Sequence, residues 1–152
     1  MSLRARIPAD LKEAMKARDA LRLSTLRLIS AAIKDRDIAL RGEGEHREAT
    51  DAEITALLTR MVKQRQDSAR VYEEGGRMEL AGRELAEAGL IEGYLPRRLS
   101  EAETQAAITA EIEALGATSI RDLGRVMIAL KARYAGQMDF GVVGPMVKAR
   151  LG

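Results

Sequence analysis

The chain has 152 residues with 25 basic and 23 acidic side chains, a formal net charge of +2 and no cysteine. The absence of cysteine excludes disulfides, thiolate catalysis and sulfur-based zinc sites. Together with the charged N-terminus and the lack of a long apolar run, it predicts a cytoplasmic protein that does not span a membrane. Because the net charge is small, nucleic-acid binding would have to depend on local basic clusters.

The composition and the spacing of apolar residues predict an all-α protein, because helix-forming residues dominate and apolar runs with a period of two are absent. The first helix is expected at about residues 3–17. Asp19 is expected to cap a second helix that ends in a flexible polar loop at residues 41–50. Their buried faces are predicted to contain Leu3, Ile7, Leu11 and Met15 in the first helix and Leu23, Leu26, Ile29, Ile33 and Leu40 in the second.

Thr50 and Glu53 have the spacing of a capping box, which predicts a third helix over residues 51–74. Glycines follow it, and a fourth helix is expected at about residues 77–93. The residues predicted to be buried in these two helices are Ile54, Leu57, Leu58, Met61, Tyr72, Leu80, Leu85, Ala88 and Ile91.

Pro96 disfavours helix in the residue before it, which places a boundary between an N-terminal domain of about four helices, residues 1–96, and a compact three-helix domain, residues 97–152. In the second domain one helix is expected at residues 101–115, and Pro145 is expected in the first turn of the last helix. The predicted caps are Ser100, Gly116, Ser119, Asp122 and either Asp139 or Gly141. The predicted core comprises Ile108, Ile112, Leu115, Ile120, Leu123, Met127, Leu130, Tyr134, Val143, Met146, Val147 and Leu151.

The sequence contains no recognisable catalytic or metal-binding arrangement. Its one histidine, His46, lies in the most polar loop, and the carboxylates near it are accounted for by a solvated helix surface. Adjacent acids such as Glu73 and Glu74 point to different sides of a helix and cannot act as a pair. No catalytic residue, cofactor or metal is therefore predicted.

Basic residues flank the glycine-rich stretch LKARYAGQMDFGVVGPMVKAR at residues 130–150, where glycine and proline build a tight turn between two helices. One interpretation is a basic rim that contacts an RNA phosphate backbone beside a helix N-terminus. The other is a set of surface residues that keep a small helical domain soluble. The candidate RNA-binding residues are Arg125, Lys131, Arg133, Lys148 and Arg150 here, and Lys63 and Arg65 in the third helix.

Four segments together resemble the YqeY-like family, which shares its C-terminal region with the tail of GatB, the tRNA-handling subunit of the tRNA-dependent amidotransferase. They are LSTLRLISAAIK, KQRQDSARVYEEGGRMELAGRE, YLPRRLSEAE and LGRVMIALKARYAGQMD. The resemblance implies a helical N-terminal domain and a three-helix tail that helps to hold tRNA without catalysing a reaction. Family members are often labelled carbon–nitrogen ligases with glutamine as amide donor, a label borrowed from the larger enzyme.

The matching motif residues include Gly124, Arg125, Val126, Met127, Gly136 and Asp139. Ala135 and Gln137 stand where the family often has basic residues, which reduces the positive charge at the expected phosphate contact.

Three functions remain open. An RNA-binding accessory protein with tRNA as its partner is favoured. The alternative is a helical module that docks on an amidotransferase or an aminoacyl-tRNA synthetase. A carbon–nitrogen ligase would need a deep pocket with convergent polar groups, which the sequence does not reveal.

Overall fold

The computed structural model describes residues 2–152, and its regular elements there are all helical, which confirms the predicted fold class. A turn of 3₁₀ helix at Ile120–Asp122 leads directly into the sixth α-helix. No helix in this range is long and apolar enough to cross a membrane. The α-helices are α1 (Leu3–Ala17), α2 (Ala20–Gly42), α3 (Asp51–Glu74), α4 (Met78–Glu92), α5 (Glu101–Leu115), α6 (Leu123–Tyr134) and α7 (Phe140–Leu151).

The chain divides between Leu95 and Pro96 into two compact units, with α1–α4 in the first and α5–α7 in the second. Each unit has its own cluster of buried apolar side chains. The fully buried large side chains of the first unit are Ile7, Ile29, Leu40, Ile54, Leu58 and Ile91, and those of the second are Ile108, Val126, Leu130 and Val147.

Side-chain caps begin most of these helices where the sequence predicts them. The Asp19 carboxylate accepts a hydrogen bond from the Arg22 N–H at 3.2 Å at the start of α2. Reciprocal capping boxes open α3 at Thr50 and α5 at Ser100. Gly116 ends α5 in the left-handed conformation with φ 61°, which glycine adopts at little cost.

Two predicted core residues of the first unit are exposed instead. Met15 is 54% exposed, and Ala14 is buried in its place. Residues spaced by four advance 400° around a helix, so a stripe at steps of four drifts away from its starting face, and Met15 lies about 120° from Leu3. Leu85 is 46% exposed, because α4 presents the small side chains of Ala81 and Ala88 to the core.

The second unit differs from the sequence prediction in two places. Ile120 lies in the 3₁₀ turn and is exposed, whereas Val126 is fully buried. Pro145 is the sixth residue of α7, beyond its first turn, so the prediction for Pro145 is wrong. The reason is that Asp139 caps α7 and accepts a hydrogen bond from the Gly141 N–H, which starts the helix at Phe140.

A buried carboxylate connects three segments of the first unit. Asp37 on α2 accepts two hydrogen bonds from the Arg4 guanidinium on α1, each 3.0 Å long, and a third from the Ala49 N–H at 2.7 Å. Arg4 also donates to the Ala49 carbonyl oxygen at 2.9 Å. Ala49 is buried, so the polar loop that the sequence predicts to be flexible is held at its end just before α3.

Replacing Asp37 with alanine is expected to lower the free energy of unfolding by about 2 to 4 kcal/mol, because the Arg4 guanidinium and the Ala49 N–H lose their common acceptor. Chemical denaturation measures the change. The control is Asp35→Ala on the exposed side of α2, with an expected change within about 0.5 kcal/mol.

The pH dependence provides a second readout of the same variant. The hydrogen bonds from Arg4 and from the Ala49 N–H lower the pKa of Asp37 below its ordinary value of 3.8. The contribution of the Asp37 carboxylate to the free energy of unfolding is therefore fully present above about pH 4. It disappears as the pH falls through the lower pKa that Asp37 has in the folded state. The stability difference between the wild type and Asp37→Ala should shrink in that range, and a difference unchanged by acid would contradict this assignment.

Candidate functional site

The net charge of the protein lies in the second unit. Residues 1–95 contain 17 basic and 17 acidic side chains, and residues 96–152 contain 8 basic and 6 acidic ones. From Leu123 onward there are five basic residues and one acidic residue, Asp139. The excess of positive charge is thus greatest on α6 and α7, which hold five of the seven candidate RNA-binding residues.

Lys131 on α6 and Lys148 on α7 are exposed, and no carboxylate of residues 2–152 forms an ion pair with either. The two helices approach closely at Gly144, where an added β-carbon would lie 3.8 Å from the terminal methyl of Met127. Each lysine follows one of these contact residues by four positions, or about one helical turn. Each lysine therefore lies about one helical turn from the contact between α6 and α7.

The three candidate arginines of the second unit have partners. Arg133 is exposed, with its guanidinium 3.7 Å from the buried Glu111 carboxylate on α5. Arg125 donates to Asp122 at 2.8 Å, which compensates much of its charge locally. Arg150 donates to the side chains of Gln105 and Thr109, which are neutral acceptors and leave its charge uncompensated.

The turn before α7 is organised differently from the predicted phosphate contact. The Asp139 carboxylate occupies the α7 N-terminus, where it accepts the Gly141 N–H at 3.0 Å. Gln137 donates through its side chain to the Arg97 carbonyl oxygen at 3.1 Å, and its own carbonyl accepts the Leu99 N–H at 3.0 Å. Gln137 therefore fastens the turn to the segment before α5, and an anion at this helix end would meet a carboxylate.

Lys63 and Arg65, the remaining candidates, lie on α3 in the first unit. Lys63 is exposed. Arg65 has only 14% of its side chain exposed and donates to the Glu87 carboxylate on α4 at 3.2 Å and to the Met61 carbonyl oxygen at 3.2 Å. The Arg65 guanidinium thus joins α3 to α4 and is turned away from solvent.

The sequence reasoning missed a polar cavity of about 150 Å³ in the first unit. Its polar lining comes from Arg6 and Asp10 on α1, Arg22 on α2 and Tyr94 just after α4. Tyr94 donates to Asp10 at 2.6 Å, and burial together with this hydrogen bond raises the pKa of Tyr94 to about 12. No local sequence motif predicts the cavity, because the residues that line it are up to 88 positions apart in the chain.

Metal ligands are not clustered in the described residues: no group of three or more histidine, aspartate or glutamate side chains there is placed to hold a metal ion. His46 is exposed in the loop before α3. The segment from Leu123 onward, which comprises α6 and α7, has an excess of basic over acidic side chains.

A protein-family model described as Yqey-like protein matches residues 4–151. The chain belongs to the YqeY-like family. The match covers both units, which confirms the resemblance carried by the four sequence segments.

Several curated relatives carry the name altered inheritance of mitochondria protein 41, mitochondrial. The relative from Lachancea thermotolerans is 32% identical over 107 residues, which is 69% of this chain and 55% of that protein. The relative from Clavispora lusitaniae is 34% identical over 94 residues, or 62% of this chain and 52% of that protein. This YqeY-like protein therefore matches only about half the length of these relatives.

The names of these relatives contradict the prediction of a cytoplasmic protein, because each of them is described as mitochondrial. That prediction depended on the absence of cysteine and of apolar runs. These features limit disulfide formation and membrane insertion, but they do not distinguish one compartment from another.

The two α3 candidates can be separated by a matched pair of substitutions. Arg65→Gln is expected to lower the free energy of unfolding by about 1 to 3 kcal/mol, because the Glu87 carboxylate, 12% exposed, loses its hydrogen-bonded guanidinium and keeps only the more distant Arg83 at 3.7 Å. Lys63→Gln is expected to change it by less than about 0.5 kcal/mol. Thermal or urea unfolding measures both, and equal effects would show that the Arg65–Glu87 pair does not stabilise the α3–α4 contact.

Proposed function

We propose that this YqeY-like protein is a non-catalytic accessory protein that binds the phosphate backbone of RNA, with tRNA as its partner, through α6 and α7. The main support is the distribution of charge. The first unit is neutral overall, whereas the segment from Leu123 onward has five basic residues against one acidic residue. Family membership and the positions of Lys131 and Lys148 agree with this proposal.

Lysine ammonium groups suit this function because they are strongly hydrated point charges that contact phosphates without reading bases. Lys131 and Lys148 have no competing ion pair among residues 2–152, so binding a phosphate does not require breaking one. Arg150 adds a third positive charge that is bound only to neutral groups. The expected complex is electrostatic and has little sequence preference.

Binding through about three phosphate contacts has a definite salt dependence. Each contact releases counterions, so affinity should fall by about twentyfold to fortyfold when the salt concentration rises from about 50 to about 200 mM. Fluorescence anisotropy with labelled total tRNA measures this fall.

Lys131→Glu combined with Lys148→Glu is expected to weaken tRNA binding at least about tenfold at the lower salt concentration. The control combines Lys12→Glu with Lys34→Glu, which makes the same change in net charge on exposed lysines of the first unit. It should weaken binding by less than about threefold. Circular dichroism verifies the helical content of both variants.

Two outcomes would overturn the proposal. No detectable binding by the wild type at about 50 mM salt would exclude RNA as a partner under conditions that favour it. Equal losses in the two double variants would show that only net charge matters and that α6 and α7 are not the binding surface.

A second candidate is a helical module that docks on an amidotransferase or an aminoacyl-tRNA synthetase. The feature that favours it is the outer face of α4, where Met78 is 62% exposed and lies seven residues before the exposed Leu85. Gly82 and Gly89 lie on the same face with open space around them. Helix-interior glycine costs about 1 kcal/mol relative to alanine, and no contact within the described chain explains that cost.

Docking through this face would be apolar, so association with a purified tRNA-dependent amidotransferase should persist at about 200 mM salt. Met78→Lys combined with Leu85→Lys should abolish this association. The double variant Lys131→Glu with Lys148→Glu should retain it. Sedimentation measures the complex. No association in the wild type, or no effect of the α4 substitutions, would exclude this second function.

A further inference from the structure

We infer that the first unit also binds a small organic monoanion in the cavity between α1, α2 and the residues that follow α4. The oxyanion group of the ligand would accept hydrogen bonds from the guanidinium groups of Arg6 and Arg22. A short apolar part would pack against Leu26, Ile29 and Leu90, which complete the cavity wall. This inference does not depend on the proposed RNA binding, which concerns the other unit.

Arg22 is the first argument for a ligand, because its guanidinium donates no hydrogen bond to any residue from 2 to 152. Its nearest carboxylate oxygens belong to Glu13 at 3.8 Å and Asp10 at 4.0 Å, both beyond hydrogen-bonding distance. The side chain is only 32% exposed. A guanidinium has five N–H donors, so this one retains its full capacity to bind an oxyanion bidentately.

Arg6 supplies the second positive charge. Its guanidinium lies 4.6 Å from the centre of the Tyr94 ring and donates to the Gly93 carbonyl oxygen at 3.3 Å, and both contacts hold it at the cavity. The Asp10 carboxylate is 3.9 Å from Arg6. Two guanidinium groups and one carboxylate line the cavity. The Glu13 carboxylate, 3.8 Å from Arg22, lies outside the lining and has 71% of its side chain exposed, so solvent screens its charge and the lining keeps an excess of positive charge that a monoanion would balance.

Tyr94 and Asp10 make the arrangement rigid before a ligand arrives. The Tyr94 hydroxyl donates to one oxygen of Asp10 at 2.6 Å, which directs the other oxygen toward Arg22. The Asp10 carboxylate therefore lies within 4.0 Å of both guanidinium groups without accepting a hydrogen bond from either. Preorganised donors of this kind reduce the entropy that a ligand must lose on binding.

The volume and the apolar wall limit the size and type of ligand. About 150 Å³ corresponds to the volume of about five water molecules in the liquid, which is enough for a short-chain carboxylate. Leu26 and Ile29 are buried side chains of the core, so the wall they form is fixed. Thr25 is also buried, and its hydroxyl already donates to the Leu21 carbonyl oxygen at 2.9 Å.

The test uses butyrate as the probe, with butyramide as its uncharged isostere and inorganic phosphate as an oxyanion without an apolar part. All titrations of the full-length protein are done at constant ionic strength. Methyl chemical shifts of Thr25, Leu26, Ile29 and Leu90 report on the cavity. Saturable shifts with a dissociation constant of about 1 to 10 mM are expected for butyrate, and at least about tenfold weaker binding for butyramide and phosphate.

Arg22→Gln is expected to weaken butyrate binding at least about tenfold, because the bidentate donor is lost. The control is Arg27→Gln on the same helix, which is exposed, does not line the cavity and should leave the affinity unchanged. Arg6→Gln serves as a second cavity variant and should also weaken binding if Arg22→Gln proves unstable.

Three results would overturn the inference. They are the absence of saturable shifts up to about 50 mM butyrate, equal binding of butyrate and butyramide, and unchanged affinity in the folded arginine variants of the cavity. Phosphate binding as tightly as butyrate would overturn the assignment of an organic ligand.

Discussion

The pairing of Asp37 with Arg4 and the Ala49 N–H is the constraint on which the first unit depends. A buried carboxylate is tolerated only when hydrogen bonds and an opposite charge replace its hydration. Asp37 meets this requirement with groups from α1 and from the end of the loop before α3. Since α1 is thereby held along α2, Arg6 and Asp10 on α1 come to lie beside Arg22, and the cavity is formed.

The two units differ in the density and in the balance of their charged residues, with 34 charged side chains in residues 1–95 and 14 in residues 96–152. In the first unit basic and acidic residues are equal in number, and some pairs, such as Arg65 with Glu87, connect neighbouring helices. In the second unit there are more basic than acidic residues, and Lys131 and Lys148 have no partner among residues 2–152. Paired charges hold helices together, whereas unpaired surface charges remain available to a polyanion.

The proposed RNA-binding surface and the proposed cavity site would bind anions through different basic residues. On α6 and α7, Lys131 and Lys148 are exposed, and in the proposed complex they would make weak electrostatic contacts with a phosphate backbone. In the first unit, Arg6 and Arg22 line a small cavity with an apolar wall, where fewer waters compete and a charge-assisted hydrogen bond is stronger. Salt should therefore weaken RNA binding much more than it weakens binding in the cavity.

The sequence alone determined the helical class, most helix boundaries and the family, because caps such as Thr50 with Glu53 and the apolar periodicity act between residues a few positions apart. Only the tertiary structure decided which charged side chains are buried or free. Asp37 meets Arg4 33 positions away, and Arg65 meets Glu87 22 positions away, so nothing in their local sequence distinguishes them from solvated residues. Packing between distant helices sets burial, and burial sets whether a charge stabilises the fold or can bind a ligand.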